Sequence, residues 1–200
     1  MIGNDIIDLE LAGRQSDWRR KGFLEKVFSE GEQEIILTSL NENLMVWLLW
    51  SMKEAAYKAH QRELNLPRRL NWLAQDCKFS IITSEKASGI VKISDRIYQT
   101  TSEITSDYIH TSAEKHPKSS VKNGIFEAPS SEVKQGLVER VSDHFAIKKN
   151  DLELMKDGFG MPFLSGNKDF YFDCFSLSGH GKFYAYSLSL INCETSVKQS

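Results

Sequence analysis

"LLWSMKEAAYKAH", residues 48–60, lies within a stretch from Leu44 to Glu63 that contains no Gly or Pro and stops before Pro67. Apolar residues recur there every three or four positions, which predicts one long helix with a core-facing stripe of Met45, Leu48, Leu49, Met52, Ala56 and Ala59. At about 100° per residue, Glu54 points away from that stripe, on a side shared with Trp47, Trp50, Tyr57, Lys58 and Gln61. Because neither solvent nor a core favours aromatic and charged side chains together, we expect this face to meet a ligand or partner.

The composition is that of a globular chain of one or two domains. It has 200 residues, of which 40% are hydrophobic and 26% charged, enough to bury a core. The formal net charge of -2 gives no bulk attraction for nucleic acid, so we expect no nucleic-acid partner. Any phosphate binding must therefore be local.

The sequence also predicts a reduced cytoplasmic protein. Its N-terminus, "MIGNDIIDLE", carries acids rather than the apolar core of a signal peptide. No segment reaches the roughly 20 apolar residues that span a bilayer, so we expect no membrane partner. Cys77, Cys174 and Cys193 are odd in number and show no CxxC spacing, so we expect thiols rather than disulfides or a zinc site.

Two groups of elements follow each other along the chain. "MIGNDIIDL" predicts a short strand, Ser29 and Glu32 form a capping box that starts a helix near residue 30, and alternating runs from Lys78 to Ala113 predict strands. After a stretch rich in Lys, Ser, Pro and Gly, residues 130–147 predict another helix, followed by strands and a hairpin turning at Gly179 to Gly181. The order of helix, short strands and hairpin thus occurs twice.

This order predicts an α+β fold of two pseudo-repeated modules, each with a helix packed on a small antiparallel sheet. Residues 1–115 form the first module, 116–130 a mobile linker, 131–193 the second module and 194–200 a flexible tail. Sequence identity between the halves is too weak to prove a repeat. The two-module interpretation predicts a monomer.

Glu54 and Lys58 allow two interpretations. They are spaced i and i+4, so they could form an ordinary surface ion pair on a helix. A carboxylate among aromatic residues, however, tends to protonate unless a cation holds its charge. Mg²⁺ would do so, and it usually binds one or two carboxylates together with substrate phosphates and water. Asp5, on a strand beside Gly3, is the candidate for a second ligand.

"IGNDIIDL" followed by "WSMKEAAYKA" resembles the paired signature of the 4'-phosphopantetheinyl transferase superfamily, which includes the holo-acyl-carrier-protein synthases and surfactin-type transferases. The resemblance implies Mg²⁺-dependent transfer of the 4'-phosphopantetheine arm of coenzyme A to a serine of an apo acyl or peptidyl carrier protein, with release of 3',5'-ADP. It also implies that Asp5 and Glu54 ligate Mg²⁺ and that Lys53 and Lys58 contact the pyrophosphate. Some members carry a third acid where this chain has Ile7, and water would then complete the coordination.

The base that takes the serine proton has two candidates. Glu54 could act directly or through a metal-bound water. Glu32 matches the acid of the family's Phe-Ser/Thr-x-x-Glu segment, although it also fits the capping-box role.

The second module resembles the nucleotide-binding part of the same family. "DGFGMPFL" is similar to a Gly-Lys-Pro segment, and "FSLSGHGKFYAYSLSL" to a Ser-His-Ser hairpin. The resemblance implies that Gly160, Pro162, Ser178, His180 and Lys182 hold the adenine and 3'-phosphate of coenzyme A. In surfactin-type members this module comes first, so the reversed order here implies one site at the junction of the modules.

That match departs from the family pattern at two points. Met161 replaces the usual lysine, which removes one cation near the nucleotide. "SGHG" places Gly179 at the usual histidine position, and a one-residue shift in a strand reverses the side-chain direction. His180 is therefore either a ligand contact restored by the turn or an exposed turn residue.

Other functions stay open. The altered hairpin fits a noncatalytic module that binds coenzyme A or a carrier protein, and the surface ion pair fits a small interaction domain. The basic runs "DWRRKGF" (17–23) and "LPRRL" (66–70) are either solvated surface charge or attract an acidic carrier or the 3'-phosphate.

Overall fold

A computed structural model describes residues 1–115, 121–127, 129–167 and 170–190. The helices are α1 (Leu9–Gln15), α2 (Phe23–Val27), α3 (Glu30–Thr38), α4 (Glu42–Leu64) and α5 (Ser130–Phe145). The first strands are β1 (Ile2–Asp8), β2 (Gln75–Ile82), β3 (Lys86–Ile93), β4 (Arg96–Ile104), β5 (Tyr108–Glu114) and β6 (Val121–Glu127). They are followed by β7 (Leu152–Lys156), β8 (Pro162–Gly166), β9 (Phe170–Phe172), β10 (Phe175–His180) and β11 (Phe183–Ser189).

The first half is a five-stranded antiparallel sheet of order β1-β5-β4-β3-β2, with α4 packed against β1 and β5. The predicted N-terminal strand is confirmed, as is the capping box at the start of α3. The long helix predicted from Leu44 to Glu63 is also confirmed, beginning slightly earlier behind the Asn41 cap and ending at Leu64. Local sequence signals therefore suffice for these elements.

The two faces of α4 differ less in burial than the sequence predicts. Trp47 and Tyr57, expected opposite the core stripe, are 6% and 8% exposed. The Trp50 ring packs at 4.1 Å from the Trp72 ring, measured between centroids, and also stacks on Phe23. Helices α1–α3 and the segment around Trp72 cover this side, so α4 is central to the fold rather than amphipathic, and only part of the aromatic face can meet a ligand.

Gly3 sets the distance between β1 and α4. A Cβ atom added there would lie 2.1 Å from the Ala55 carbonyl oxygen and 2.5 Å from the Ala59 nitrogen. Both are backbone atoms, so no side-chain movement could relieve the clash. The missing side chain allows β1 to approach α4 closely, and this approach brings Asp5 to the helix.

Gly3→Ala should therefore destabilise the protein by about 3 kcal/mol, the upper part of the usual range for overpacking. Urea unfolding measures this change. Gly13→Ala is the matched control, because Gly13 lies within α1 with nothing within 4 Å of a Cβ atom, and it should stabilise by roughly 0.5–1 kcal/mol. Equal stabilities of the two variants would contradict the close-packing argument.

The second half contains two smaller antiparallel sheets among the described residues, of order β10-β11-β6 and β7-β8-β9. Helix α5 packs through Val133, Leu137 and Val141 into a core with residues such as Phe175 and Leu188. The chain thus has a mixed α/β structure with antiparallel sheets. The pseudo-repeat and the division into two modules stay predictions, and the tail at 194–200 lies outside the described residues.

The predicted linker at 116–130 requires a correction. Residues 121–127 form β6, which pairs with β11 along its whole length. Gly124 belongs to the Gly-containing composition that predicted a linker, but it lies under the Tyr186 ring, where a Cβ atom would approach a ring carbon to 2.4 Å. Its glycine serves packing rather than flexibility, a distinction that composition alone does not make.

The C-terminal hairpin also turns later than predicted. His180 still pairs with Phe183, and the turn is at Gly181 and Lys182, where Gly181 has a φ of 57°. A Cβ atom at Gly181 would lie 2.2 Å from Asp8 Oδ2. Strand β1 thus lies between α4 on one face and β10 and β11 on the other, with Ile6 packed against Phe183.

The structure bears on two further expectations, the absence of membrane-spanning helices and the presence of free thiols. None of the helices in the described part is long and apolar enough to span a bilayer. Cys77 is a free, buried thiol. Cys174 is disulfide-bonded, so the expectation of free thiols is wrong for this residue.

Candidate active site

Asp5 and Glu54 meet at the contact between β1 and α4. Both line a cavity of about 180 Å³, together with Ile7, Trp50 and His180. Asp5 is buried on β1, which approaches α4 closely because Gly3 has no side chain. The structure therefore brings together the two acids that the sequence pairs only through their motifs.

Lys58 joins this pair from the next turn of α4. Its Nζ donates to the Asn4 carbonyl oxygen at 2.8 Å and to Asp5 Oδ1 at 3.2 Å. The partner is thus Asp5, not Glu54 as the surface ion-pair alternative required. Among residues 1–115, 121–127, 129–167 and 170–190, Glu54 has no ion pair.

The positive charges near Asp5 and Glu54 do not offset the effect of burial, and the pKa values of both carboxyl groups are raised. Burial raises the pKa of Asp5, against the lowering effect of Lys58. Burial and then the charge of Asp5 raise the pKa of Glu54 to about 7, although Lys58 and Arg68 lower it. Asp5 Oδ2 is buried and has no hydrogen-bond partner among the described residues. Two adjacent acids with raised pKa values and an unpartnered oxygen fit a site for a cation.

Among the described residues, the acids that line this cavity are Asp5 and Glu54. In the described part of the chain, no group of three or more His, Cys, Asp or Glu residues could hold a metal. Ile7, where the resemblance would place a third acid, lines the cavity with an apolar side chain. Asp8 is engaged elsewhere, because its carboxylate accepts from the backbone nitrogens of Leu11 and Lys182. A two-carboxylate set suits Mg²⁺, which takes its other ligands from substrate and water.

Lys53 and Glu32 are not brought to this site. Lys53 is fully buried, and its Nζ donates to Glu32 Oε2 at 2.6 Å, the Val27 carbonyl at 2.8 Å and the Trp72 carbonyl at 3.2 Å. Glu32 also accepts from the Ser29 and Cys77 backbone nitrogens. All three ammonium donors and both carboxylate oxygens are therefore occupied, and neither residue lines the cavities around Asp5 and Glu54.

A second cavity of about 370 Å³ opens from Glu54 and Lys58 toward the second half of the chain. Gly160, Met161 and Pro162 form one wall, with Ser176 and Leu177 of β10 beside them. Arg62, Arg68 and Lys156 supply positive charge. Gly160 has a φ of 79°, a conformation that favours glycine. The predicted residues Gly160 and Pro162 thus line a cation-rich cavity next to the acids.

The three predicted hairpin residues take different places. His180 lines the smaller cavity beside Asp5, and its Nδ1 accepts from the Asp8 backbone nitrogen at 2.9 Å. Ser178 Oγ accepts from Asn4 Nδ2 at 2.9 Å, facing β1. Lys182 pairs with Glu127 at 2.9 Å on the surface, and neither cavity includes it. The one-residue shift of the histidine thus places it on the acid side of the site.

Arg62 and Lys156 also line the second cavity, although no sequence motif indicated them. Arg62 Nη1 donates to the Pro162 carbonyl at 3.0 Å, and its guanidinium lies 5.8 Å from the Phe175 ring centroid. It thereby joins α4 to the second half of the chain. A signal existed, since Arg62 follows Lys58 by one helical turn on the same face. Lys156 carried no comparable signal, because only the folded β7–β8 connection brings it to α4.

Comparison with known proteins finds one relationship. A family model described as the 4'-phosphopantetheinyl transferase superfamily matches residues 1–117, more than half of the chain, including Asp5, Glu54 and Lys58. No curated protein and no solved structure matches the chain. The second cavity also has lining residues beyond the matched part, namely Lys156, Phe159, Gly160, Met161, Pro162, Ser176 and Leu177.

Proposed function

Because the chain belongs to the 4'-phosphopantetheinyl transferase superfamily, we propose that it transfers the 4'-phosphopantetheine arm of coenzyme A to a serine of an apo acyl or peptidyl carrier protein. The other product is 3',5'-ADP. The observation that carries this proposal is the pairing of Asp5 with Glu54 beside a cation-lined cavity. An enzyme that splits a pyrophosphate next to a nucleotide needs such an arrangement.

In this proposal the larger cavity takes the nucleotide of coenzyme A. Arg68 and Lys156 supply charge for its phosphates, and Arg62 fixes the position of Pro162. These residues compensate for Met161, which stands where the family commonly has lysine. The hydrophobic surface of Phe159 and Leu177 offers contacts for the adenine ring.

Asp5 and Glu54 would hold Mg²⁺ at the boundary of the two cavities. Bound there, Mg²⁺ would offset negative charge on the pyrophosphate. Lys58 contributes an ammonium group at the same place, and its bond to the Asn4 carbonyl fixes its direction.

Glu54 is the base candidate that faces the site. It lines both cavities, so it could take the serine proton directly or through a metal-bound water. Glu32, the alternative, is held by Lys53 and two backbone nitrogens. We therefore assign Glu32 a structural role.

The carrier serine would approach from the side of α1 and α2. In-line displacement requires the nucleophile to arrive opposite the departing nucleotide. A cavity of about 610 Å³, lined by Trp18, Arg19 and Leu44, adjoins the acid-side cavity through Ser16 and Trp47. The basic segment 17–23 borders this entrance and would attract an acidic carrier.

The test is incubation of the protein with coenzyme A, Mg²⁺ and a panel of apo acyl and peptidyl carrier proteins. A phosphopantetheine mass gain on the carrier, absent from a carrier whose acceptor serine is alanine and suppressed by a chelator, is the expected result. Binding of coenzyme A without mass gain on any carrier would instead favour the noncatalytic binding module, for which the altered "SGHG" hairpin speaks.

Two further proposals accompany this function. The protein acts as a monomer, and light scattering that shows a trimer would contradict this. It acts in the cytoplasm, where coenzyme A and carrier proteins would meet it. The disulfide at Cys174 weighs against this location, because such bonds are rare in a reducing cytosol.

A further inference from the structure

Asn4 connects the strand that carries Asp5 to the hairpin of the second half. It is fully buried between Gly3 and Asp5. Its backbone nitrogen donates to Ser176 Oγ at 3.1 Å, and its side-chain Nδ2 donates to Ser178 Oγ at 2.9 Å. Both serines belong to β10 and lie two positions apart, so Asn4 of β1 binds two residues on the same face of β10.

The same residue touches both parts of the site. The Asn4 carbonyl accepts from Lys58 Nζ, the ammonium group beside Asp5. On β10, Ser176 and Leu177 line the nucleotide cavity, whereas Gly179 and His180 line the acid-side cavity. A shift of β10 along β1 would therefore change both cavities at once.

Stability alone does not explain an asparagine at this position. Its neighbours on the same face of β1 include Ile2 and Ile6, both buried. Asn4 Oδ1 is buried without a hydrogen-bond partner in the described part of the chain, which is a cost that an apolar side chain would avoid. The third contact, between Nδ2 and His110 Nε2 at 3.3 Å, engages a buried imidazole whose pKa burial lowers to about 4, so it stays neutral. Asparagine differs from an apolar residue at this position by its Nδ2 donor, which binds Ser178 Oγ.

We propose that Asn4 is a positioning residue that fixes β10 on β1, so that the nucleotide wall and the acid pair keep their mutual register. The proposal rests on the proposed function for its catalytic meaning. It assigns no chemistry to Asn4 itself. Asn4 acts through Ser178 and Ser176, which place the walls of the two cavities.

The test compares Asn4→Leu with Ser102→Ala. Leucine has a similar size but cannot donate to Ser178. Ser102 is the matched control, because its Oγ shares a buried hydrogen bond of 2.9 Å with Thr111 Oγ1 in the same sheet and lines neither cavity. Asn4→Leu should raise KM for coenzyme A about tenfold with kcat changed less than threefold, from loss of a hydrogen bond and a small displacement of β10. Ser102→Ala should change neither parameter.

A second variant identifies the partner through which Asn4 acts. Asn4→Leu combined with Ser178→Ala should be no worse than Asn4→Leu alone, since both remove the same hydrogen bond. Additive effects, or a KM in Asn4→Leu equal to that of Ser102→Ala, would overturn the proposal.

Hydrogen exchange separates this proposal from the proposed function. If the native protein modifies no carrier, only the proposed transferase function is refuted. Amide hydrogen exchange at residues 176–180 still reports whether Asn4 holds β10 in place. Faster exchange there in Asn4→Leu than in Ser102→Ala supports the link between the strands, and equal exchange refutes it.

Discussion

Replacing Asp5 with asparagine or Glu54 with glutamine should lower kcat/KM for phosphopantetheine transfer at least about 100-fold, the cost typical of removing one group that stabilises transition-state charge. Each change removes a carboxylate that lines the acid-side cavity and keeps the shape of the side chain. Carrier mass gain against time, with saturating Mg²⁺, measures the effect. Glu10→Gln is the control, because Glu10 is an exposed acid on α1, and it should retain native activity.

Glu54→Gln should also stabilise the protein relative to the native residue as the pH rises, whereas loss of a structural ion pair would destabilise it. The pKa of Glu54 is about 7 in the folded protein and 4.5 as a reference for the unfolded chain. The folded state thus binds more protons between these values, so the native protein loses stability as the pH rises from about 4.5 to 7. Glutamine does not titrate, and its advantage over the native residue should grow over this range.

Thermal unfolding without Mg²⁺, from pH 5 to 8, measures this difference. The variant should gain in Tm relative to the native protein toward pH 8, and added Mg²⁺ with coenzyme A should stabilise the native protein more than the variant. Retained transfer activity in either acid variant would count against the site. A Tm of Glu54→Gln that falls below the native value as the pH rises would indicate a structural ion pair.

Lys53→Met should destabilise the protein by about 3–5 kcal/mol, the usual cost of leaving a buried charge without its partner. The lost ammonium group serves Glu32 and the carbonyls of Val27 and Trp72, with no exposure to solvent. Because Lys53 does not line the site, the folded variant should keep KM for coenzyme A within about twofold. Urea unfolding and transfer kinetics at low temperature give the two quantities.

The pairing partner provides the control for this result. Adding Glu32→Gln to Lys53→Met removes the orphaned charge and should recover part of the lost stability, whereas a phosphate-binding lysine would show no such coupling. A tenfold rise in KM with little loss of stability would return Lys53 to the phosphate site that its motif suggests.

Lys53 and Lys58 illustrate what the motif conveyed and what it did not. Both belong to the same short signature, and both were expected on the pyrophosphate. They differ by five positions, or about 500° around the helix, so they leave α4 in directions some 140° apart. Only the packing of α3 and Trp72 on one side, and of β1 on the other, decides which ammonium group is buried and which faces the site.

Periodicity, capping and strand pattern are local signals, and they suffice to predict the long helix, the N-terminal strand and the capped start of α3. The pairing of Asp5 with Glu54 follows only from the resemblance of their motifs to the family, and the folded chain brings the two acids to one cavity. Only the folded chain shows the structural role of Glu32, the strand formed by 121–127, and the contribution of Arg62 and Lys156 to the second cavity. Those properties depend on which surfaces meet across large sequence separations. Burial and strand pairing set them, and no local pattern records either one.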